Sequence, residues 1–245
     1  MTKLVPLDRT THRLMRVMTE QVHSVCRDTT ICPVILTEIP RLAVEYPIAL
    51  TRSSETGALV CVALFGVDAR ENLYWRDDRW NASSLPLNIA RQPFFVAVSE
   101  TAPAAGEPQG LITCIDIDNP AVQEREGERL FEDTNKESAF LRQKLSILAE
   151  LVGGEQATRD FIARLEALGL IRPFQLEFRF GAGEPRKISG LQSVDEQKLR
   201  ALDAATLADL NARGYLQAIY AMLTSLGHLQ SLARRSGRVR ESTAA

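Results

Sequence analysis

GLIRPFQLEFRF, residues 169–180, is the stretch that decides the fold. Its apolar residues at 174, 176, 178 and 180 alternate with polar ones, and this period of two predicts a strand with one buried and one solvated face. GLQSVDEQKL (190–199) and GYLQAIYAMLTSLGHLQSL (214–232) follow it, and LFEDTNKESAFL (130–141) precedes it. Because these flanking segments carry helical signals, the region predicts helices packed beside strands.

Helical periodicity surrounds this strand on both sides. Apolar residues at core-facing spacing predict one helix over 137–151 and a second over 155–168, with a break at the two glycines between them. Downstream, the spacing of Ser193 and Glu196 predicts a capping box that opens a further helix. A last helix is expected over 216–226, where the apolar stripe is clear.

The first half of the chain is rich in strand patterns. PIALTR (47–52) and ALVCVALFGV (58–67) are separated by a polar turn, which predicts a hairpin. PFFVAV (93–98) and GLITCIDI (110–117) are two further strands, and the small residues of TAPAAGEPQ (101–109) between them predict an exposed, mobile loop. Together the two halves predict an α+β fold, with a mostly antiparallel sheet, packed helices and a helical C-terminal half.

Length and charge set the organisation and exclude some functions. With 245 residues, the chain is expected to form one domain over 1–233, with two lobes that divide near residue 125 as the alternative. The basic segment 234–245 is expected to be a disordered tail. Net charge is −2, from 29 basic and 31 acidic residues, so the basic excess of a nucleic-acid binder is missing.

Cysteine usage and hydropathy indicate the compartment. Cys61 and Cys114 lie inside strand-like apolar runs, where a thiol packs as a small hydrophobe, and this favours a reducing environment. The N-terminus lacks the apolar core of a secretory signal, and no run approaches the ~20 apolar residues that cross a bilayer. We therefore expect a cytoplasmic protein that does not span a membrane, with signal-independent export as the alternative.

Two acidic residues form the first candidate site. Asp116 and Asp118 end a strand-like run, and residues two apart on a strand share a face, so both carboxylates would point to one divalent metal or one substrate. The alternative is a turn, because Asp and Asn in IDIDNP bond their own backbone. His23, Cys26 and Cys32 lack the fourth ligand of a closed zinc site, so no metal is assigned to them.

A second candidate site combines aromatic and basic side chains. Trp80 and Arg91, with Phe94 and Phe95 nearby in sequence, would form a surface that binds a ligand or partner. The alternative is that these aromatics fill the core. The chain has neither a phosphate-binding glycine loop nor a nucleophile elbow, and only three histidines, so we assign no catalytic residue and no cofactor.

The chain resembles the SapC family of soluble bacterial proteins from about Leu4 to Leu232, and order and spacing carry this resemblance rather than any single motif. The residues concerned are Val5-Pro6-Leu7, His12, Tyr46-Pro47-Ile48, Glu71-Asn72-Leu73, Trp80, Pro86, Arg91, Pro93-Phe94, Ile115-Asp116, Gly127, Leu130-Phe131, Leu141, Gly169-Leu170, Pro173, Gly190-Leu191, Val194-Asp195, Lys198-Leu199, Ile219-Tyr220-Ala221, Leu223 and Leu226. The chain departs from the family pattern at Asp133-Thr134 and near Leu85 and Gln92.

The resemblance implies a role but no catalytic residues. The family name derives from a surface-layer gene cluster, and members are encoded beside tryptophan-halogenase-like proteins, cupin-like oxygenases and TonB-dependent receptors. We therefore expect a non-enzymatic accessory or interaction protein of the envelope or an uptake system, with a protein partner. Two alternatives stay open: a metal-dependent enzyme or enzyme subunit that uses Asp116 and Asp118, and a small-molecule binding module with a pocket near Trp80 and Arg91.

Overall fold

The computed structural model describes residues 2–98, 110–133, 136–178 and 186–243. The expected loop at 101–109 and the glycine-rich turn at 181–185 lie outside the described residues. The strands in chain order are β1 (Leu4–Pro6), β2 (Arg16–Val17), β3 (Ile31–Pro33), β4 (Ile48–Arg52), β5 (Leu59–Leu64), β6 (Trp75–Arg76), β7 (Arg79–Trp80), β8 (Phe94–Val98), β9 (Leu111–Asp116), β10 (Val122–Gln123), β11 (Glu128–Arg129), β12 (Ile171–Pro173), β13 (Leu176–Phe178), β14 (Arg186–Ile188) and β15 (Leu191–Val194).

Helices occupy most of the second half. The α-helices are α1 (Ile39–Leu42), α2 (Leu87–Ala90), α3 (Ala139–Ala167), α4 (Glu196–Arg200), α5 (Ala204–Ala212), α6 (Tyr215–Ser225) and α7 (His228–Thr243). Two short 3-10 helices span Ser24–Cys26 and Leu36–Glu38. No helix in the described part of the chain combines the length and the apolar character that a membrane span needs.

The α+β prediction is confirmed, and so is the predicted hairpin of β4 and β5. β4 pairs with β5 antiparallel, with Leu50 opposite Cys61, and the polar turn between them lies where the sequence predicts it. β8 pairs with β9 antiparallel, with Phe94 opposite Ile115. β13 pairs with β14, the partner strand expected after the alternating stretch.

The chain divides into two compact units, and it passes between them several times. Unit 1 contains Met1–Cys26, Asp77–Trp80 and Leu87–Val152, and unit 2 contains the remainder, so α3 contributes residues to both. The transitions fall at 26–27, 76–77, 80–81, 86–87 and 152–153. Whether the chain is one domain or two lobes near 125 stays a prediction.

Unit 1 is built from two small antiparallel sheets and the first half of α3. One sheet has the order β1-β9-β8 and the other β10-β2-β11. The core is made of buried apolar side chains from β2, β8, β9, α3 and the segments that connect the strands, namely Val17, Val22, Phe94, Ile115, Ala121, Leu130, Phe131, Leu141 and Leu148. Each strand has few residues, so the sheets depend on this shared core rather than on their own hydrogen bonds.

Unit 2 has a five-stranded sheet and the C-terminal helices. The strand order is β12-β15-β4-β5-β3, and the pairings are antiparallel. β4 is the central strand, and Ile48, Ala49 and Leu50 are fully buried in it. The helix α6 packs on β4 and β15 through Ile219 and Met222, which are also fully buried.

The predicted helix break at Gly153-Gly154 is wrong, because α3 continues through both glycines. A Cβ at Gly154 would lie 2.4 Å from Cδ1 of Ile35, so this glycine allows a close approach rather than ending a helix. The predicted capping box is also wrong. Ser193 lies in β15, and Asp195 caps α4 by accepting hydrogen bonds from the backbone N–H groups of Gln197 and Lys198.

The folded part of the chain extends past the expected boundary at residue 233. α7 runs to Thr243, and Ser236 on it is fully buried. The Ser236 hydroxyl donates to Oε1 of Glu71 at 2.6 Å, and the Arg235 guanidinium lies 5.4 Å from the centre of the Tyr74 ring. These tertiary contacts stabilise a helix that the polar composition of residues 234–245 does not predict.

Candidate functional site

Asp116 and Asp118 lie at the end of β9 in unit 1, where the strand turns. Asp116 is buried, and its Oδ1 accepts hydrogen bonds from the backbone N–H of Lys3 at 2.9 Å and of Asp118 at 3.2 Å. Asp118 is exposed. Because β9 ends at Asp116, the alternation that would place both carboxylates on one face does not continue. The Asp116 carboxylate therefore bonds to the chain's own backbone through Oδ1, and a joint site with Asp118 stays a prediction.

The turn after Asp116 is reinforced by a second side chain. Asn119 is buried, and its Oδ1 accepts a hydrogen bond from the backbone N–H of Ala121 at 3.0 Å. The backbone N–H of Asp116 donates to the carbonyl of Pro93 at 2.9 Å, which attaches the turn to the start of β8. This is the local hydrogen bonding that makes Asp and Asn frequent in turns.

Arg91 also makes structural contacts, just after α2. Its Nε donates to Oδ1 of Asn88 at 2.9 Å, and its Nη1 donates to the carbonyl of Phe94 at 2.8 Å. The guanidinium lies 4.0 Å from the centre of the Phe95 ring, a cation–π distance. Trp80 is half-buried in β7. A ligand pocket formed by Trp80 and Arg91 stays a prediction.

A buried basic pair, which sequence reasoning did not identify, lies in unit 1. Lys144 on α3 is 8% exposed, and its Nζ donates to the carbonyl of Ala90 at 2.5 Å and lies 5.3 Å from the centre of the Phe140 ring. Burial lowers the pKa of Lys144 to about 8. The pKa of His23 is lowered to about 4, chiefly by burial and to a smaller extent by the charge of Lys144. Nε2 of His23 is buried and has no hydrogen-bond partner among the described residues.

The sequence contains no signal that would have identified this pair. Lys144 occupies a helix in which lysine is ordinary, and His23 lies about 120 positions away. A lysine is rarely buried without an acidic partner, so its burial is a property of the packing and not of the local pattern.

All four cysteines are free thiols and buried. Burial raises the pKa of Cys61 to about 12, and it also raises the pKa of Cys114, so both thiols are unreactive as nucleophiles. In the described part of the chain, no group of three or more His, Cys, Asp or Glu side chains is arranged to hold a metal ion.

An apolar groove with a volume of about 340 Å³ opens on unit 1. Its apolar lining consists of Pro6, Leu7, Ile112, Phe131, Leu141 and Leu145. Arg9 and Glu137 also line it, and their side chains form an ion pair at 3.5 Å. The groove therefore combines an apolar floor with a charged rim, the anatomy of a small protein-binding surface.

The apolar groove continues onto an exposed pair of residues at one end of the β1-β9-β8 sheet. Val98 and Leu111 lie directly opposite each other, and they are 52% and 56% exposed. Leu111 shares a sheet face with Thr113, which lines the groove. Large apolar side chains that remain exposed beside an apolar cavity are a feature of interaction sites.

Comparison with known proteins identifies the family. The family model described as SapC matches residues 7–232, nearly the whole chain. Searches of curated proteins and of solved structures found no match. The family match begins just after β1 and ends in the first turns of α7. The chain belongs to the SapC family.

Proposed function

We propose that this protein is a non-enzymatic accessory protein that binds a protein partner of the cell envelope or of a TonB-dependent uptake system, or a halogenase-like enzyme encoded nearby. The observation that supports the proposal is the apolar groove and its continuation onto Val98 and Leu111. An apolar side chain of a partner would enter the groove, and the exposed pair would be covered on binding.

The polar candidates support the same proposal. The carboxylate of Asp116 and the guanidinium of Arg91 bond to the chain's own backbone, so they position strands rather than face a substrate. A partner held by apolar contacts does not require them. The Arg9–Glu137 ion pair at the rim is exposed and contributes little affinity, but it orients a partner with complementary charges.

The experiment is a capture of partners from native cells by the full chain. The test variant is Val98→Asp with Leu111→Asp, which places charge on the exposed pair without filling or emptying the core. The matched control is Val44→Asp, because Val44 is an exposed apolar residue in unit 2, at 72%. We expect the unmodified chain and the control to capture the same envelope component or neighbouring enzyme, identified by mass spectrometry.

The double variant is expected to lose that partner. Two charges in an apolar contact cost several kcal/mol, which lowers affinity by at least about a hundredfold. Recovery of no specific partner from native cells would count against the proposal. Equal capture by the double variant would show that another surface binds the partner.

We place the protein in the cytoplasm in this proposal, with signal-independent export as the alternative. Four buried, free thiols support a reducing compartment. Two other hypotheses remain separate. One is a metal-dependent enzyme or enzyme subunit that uses Asp116 and Asp118, and the other is a small-molecule binding module near Trp80 and Arg91. Neither has an observation in its favour as specific as the apolar groove.

A further inference from the structure

A second cavity in unit 1, with a volume of about 410 Å³, is lined largely by charged side chains. Its charged lining consists of Arg13, Arg16, Arg129, Glu124, Glu132 and Asp133. We call it the arginine cavity. Thr10, Thr11, Leu14 and Phe131 complete the lining, so the charges stand beside neutral donors and a small apolar area.

Two of the arginines lie opposite each other in the β10-β2-β11 sheet. Arg16 on β2 pairs with Arg129 on β11 in the antiparallel register. Directly opposed residues have Cβ atoms about 5 Å apart, and like charges there are destabilising. The fold therefore places two arginine side chains opposite each other at a cost, and paired arginines supply the N–H donors that bind an oxyanion.

The contacts within the chain leave part of this charge available. Nη1 of Arg16 donates to the carbonyl of Gly127 at 2.9 Å, which orients the side chain without neutralising it. Arg129 pairs with Asp133 at 2.8 Å, but the Asp133 side chain is 90% exposed, so water screens the pair. A ligand would therefore replace a weak ion pair rather than a strong one.

Charges of both signs in the cavity have no partner. Arg13, Glu124 and Glu132 are exposed, and their side chains make no hydrogen bond or ion pair with any described residue. Arg13 forms no ion pair with Glu124 or Glu132, so both kinds of charge are available to a ligand. The lining carries three arginines and three acids, so its formal charge sums to zero.

We propose that the arginine cavity binds a small zwitterionic molecule with one carboxylate and one ammonium group, as a free amino acid has. The carboxylate binds among the three arginines, with one oxygen accepting from the opposed pair Arg16 and Arg129 and the other from Arg13. The ammonium group binds to Glu124 and Glu132. A ligand that is only an anion or only a cation would match either the arginines or the acidic residues and leave the other group unmatched. The cavity volume lies within the range of small-molecule sites.

The inference is independent of the proposed partner surface, because the variants that test it lie outside the apolar groove. The experiment is isothermal titration of the full chain with each of the twenty free L-amino acids at millimolar concentrations. The amino acid that binds most tightly is then compared with its des-amino acid and its decarboxylated amine. We expect both analogues to bind at least about tenfold more weakly, since each loses one charged hydrogen-bonded contact.

Substitutions locate the site. Arg13→Ala and Glu124→Ala are each expected to weaken binding by about tenfold or more, and since both side chains are exposed and unpartnered the fold is retained. The matched control is Arg52→Ala, because Arg52 is an exposed arginine of unit 2, like Arg13 in exposure but absent from the cavity lining. The control is expected to leave affinity unchanged.

Three results would overturn the proposal. They are no binding by any of the twenty amino acids, equal binding by the des-amino acid, and unchanged affinity in both the Arg13 and Glu124 variants. Partner capture by Arg13→Ala is expected to match that of the unmodified chain. Failure of one proposal is therefore distinguishable from failure of the other.

Discussion

The turn at Asp116 and the arginine cavity are both rich in charge, and they use it in opposite ways. At Asp116 one oxygen of a buried carboxylate accepts two backbone N–H groups and fixes the turn. In the cavity, Arg13 and Glu124 are exposed and have no partner among the described residues. The turn is the region that sequence patterns select, and the cavity is the region that has charge available.

Burial explains the difference between the two regions. A carboxylate removed from water must find donors, and in a turn the nearest donors are backbone amides, so Asp116 is satisfied locally. A side chain that stays in water has no such requirement. A motif that looks catalytic in sequence is therefore a weak guide until the burial of its side chains is known.

The largest expected effect tests the hairpin that forms the arginine cavity. Gly127 has a φ of 98°, and a Cβ there would lie 2.4 Å from the carbonyl oxygen of Val17. Gly127→Ala adds a backbone clash to an unfavourable conformation, so we expect it to lower the free energy of unfolding by about 4 kcal/mol. Urea denaturation measures this change.

The matched control for that substitution is Gly57→Ala. Gly57 also has a positive φ, 71°, but no atom lies within 4 Å of its added Cβ. Its expected cost is about 1 kcal/mol, from conformation alone. Equal losses at the two glycines would mean that β11 does not approach β2 closely, and the cavity would then lose its structural basis.

The second prediction concerns Lys144, a charge that is buried like Asp116 but has no acidic partner in the described part of the chain. Burial lowers its pKa from 10.5 to about 8, so between those pH values the unfolded chain holds a proton that the folded protein has lost. Stability due to this group therefore rises with pH across the window, by about 3 kcal/mol, and the destabilisation is fully present below pH 8.

Lys144→Met should remove this rise. The measurement is the free energy of unfolding at several pH values, taken as the difference between the unmodified chain and the variant, since buried Tyr74 and Cys61 also affect the alkaline range. Lys136→Met is the control, because Lys136 is exposed. A difference curve that is flat from pH 8 to 10.5 would show that water reaches Lys144.

The third prediction returns to the acidic turn. Asp116→Ala leaves the backbone N–H groups of Lys3 and Asp118 without their acceptor, and we expect a loss of about 2 kcal/mol in urea denaturation. Asp118→Ala removes an exposed side chain, so its expected effect is within about 0.5 kcal/mol. If the two residues instead formed a metal site, both substitutions would weaken magnesium binding, and calorimetric titration with magnesium checks this alternative.

The smallest expected effect extends the comparison to unit 2. Glu71 resembles Asp116, because its Oε2 accepts backbone N–H groups from Val67 at 2.9 Å and Asp68 at 3.2 Å, and its Oε1 accepts from Ser236. Ser236→Ala should lower the free energy of unfolding by about 1 kcal/mol. Ser231→Ala on the same helix is the control, because Ser231 is exposed. Equal effects would mean that α7 does not dock through Ser236.

The hairpins were predictable because their signals are local. The apolar runs at residues 93–98 and 110–117 and the polar turn before residue 58 each lie within one segment of the chain, and the structure has strands at both runs and on either side of the turn. Residues 14–22 were different. Their apolar residues have a spacing that also fits a short helix. Arg16 and Val17 nevertheless form β2, since β10 and β11 supply strand partners that a local pattern cannot show.

The candidate site was less predictable than the fold. The sequence selected Trp80, Arg91, Asp116 and Asp118 for their chemistry, and the structure places Asp116 and Arg91 in backbone contacts. The residues of the arginine cavity come from separate segments, with Arg13 and Glu124 more than 100 positions apart. No spacing rule joins residues at that distance, because only the pairing of β2 with β10 and β11 brings them together.

The sequence by itself determined the fold class, the positions of the main hairpins and helices, and the family, because periodicity, turn residues and ordered motifs are properties of adjacent positions. The tertiary structure alone decided that Gly154 packs against Ile35, that Lys144 is buried without an acid, and that three arginines share one cavity. These features depend on the burial of each side chain and on neighbours distant in sequence, and both quantities exist only once the chain has folded.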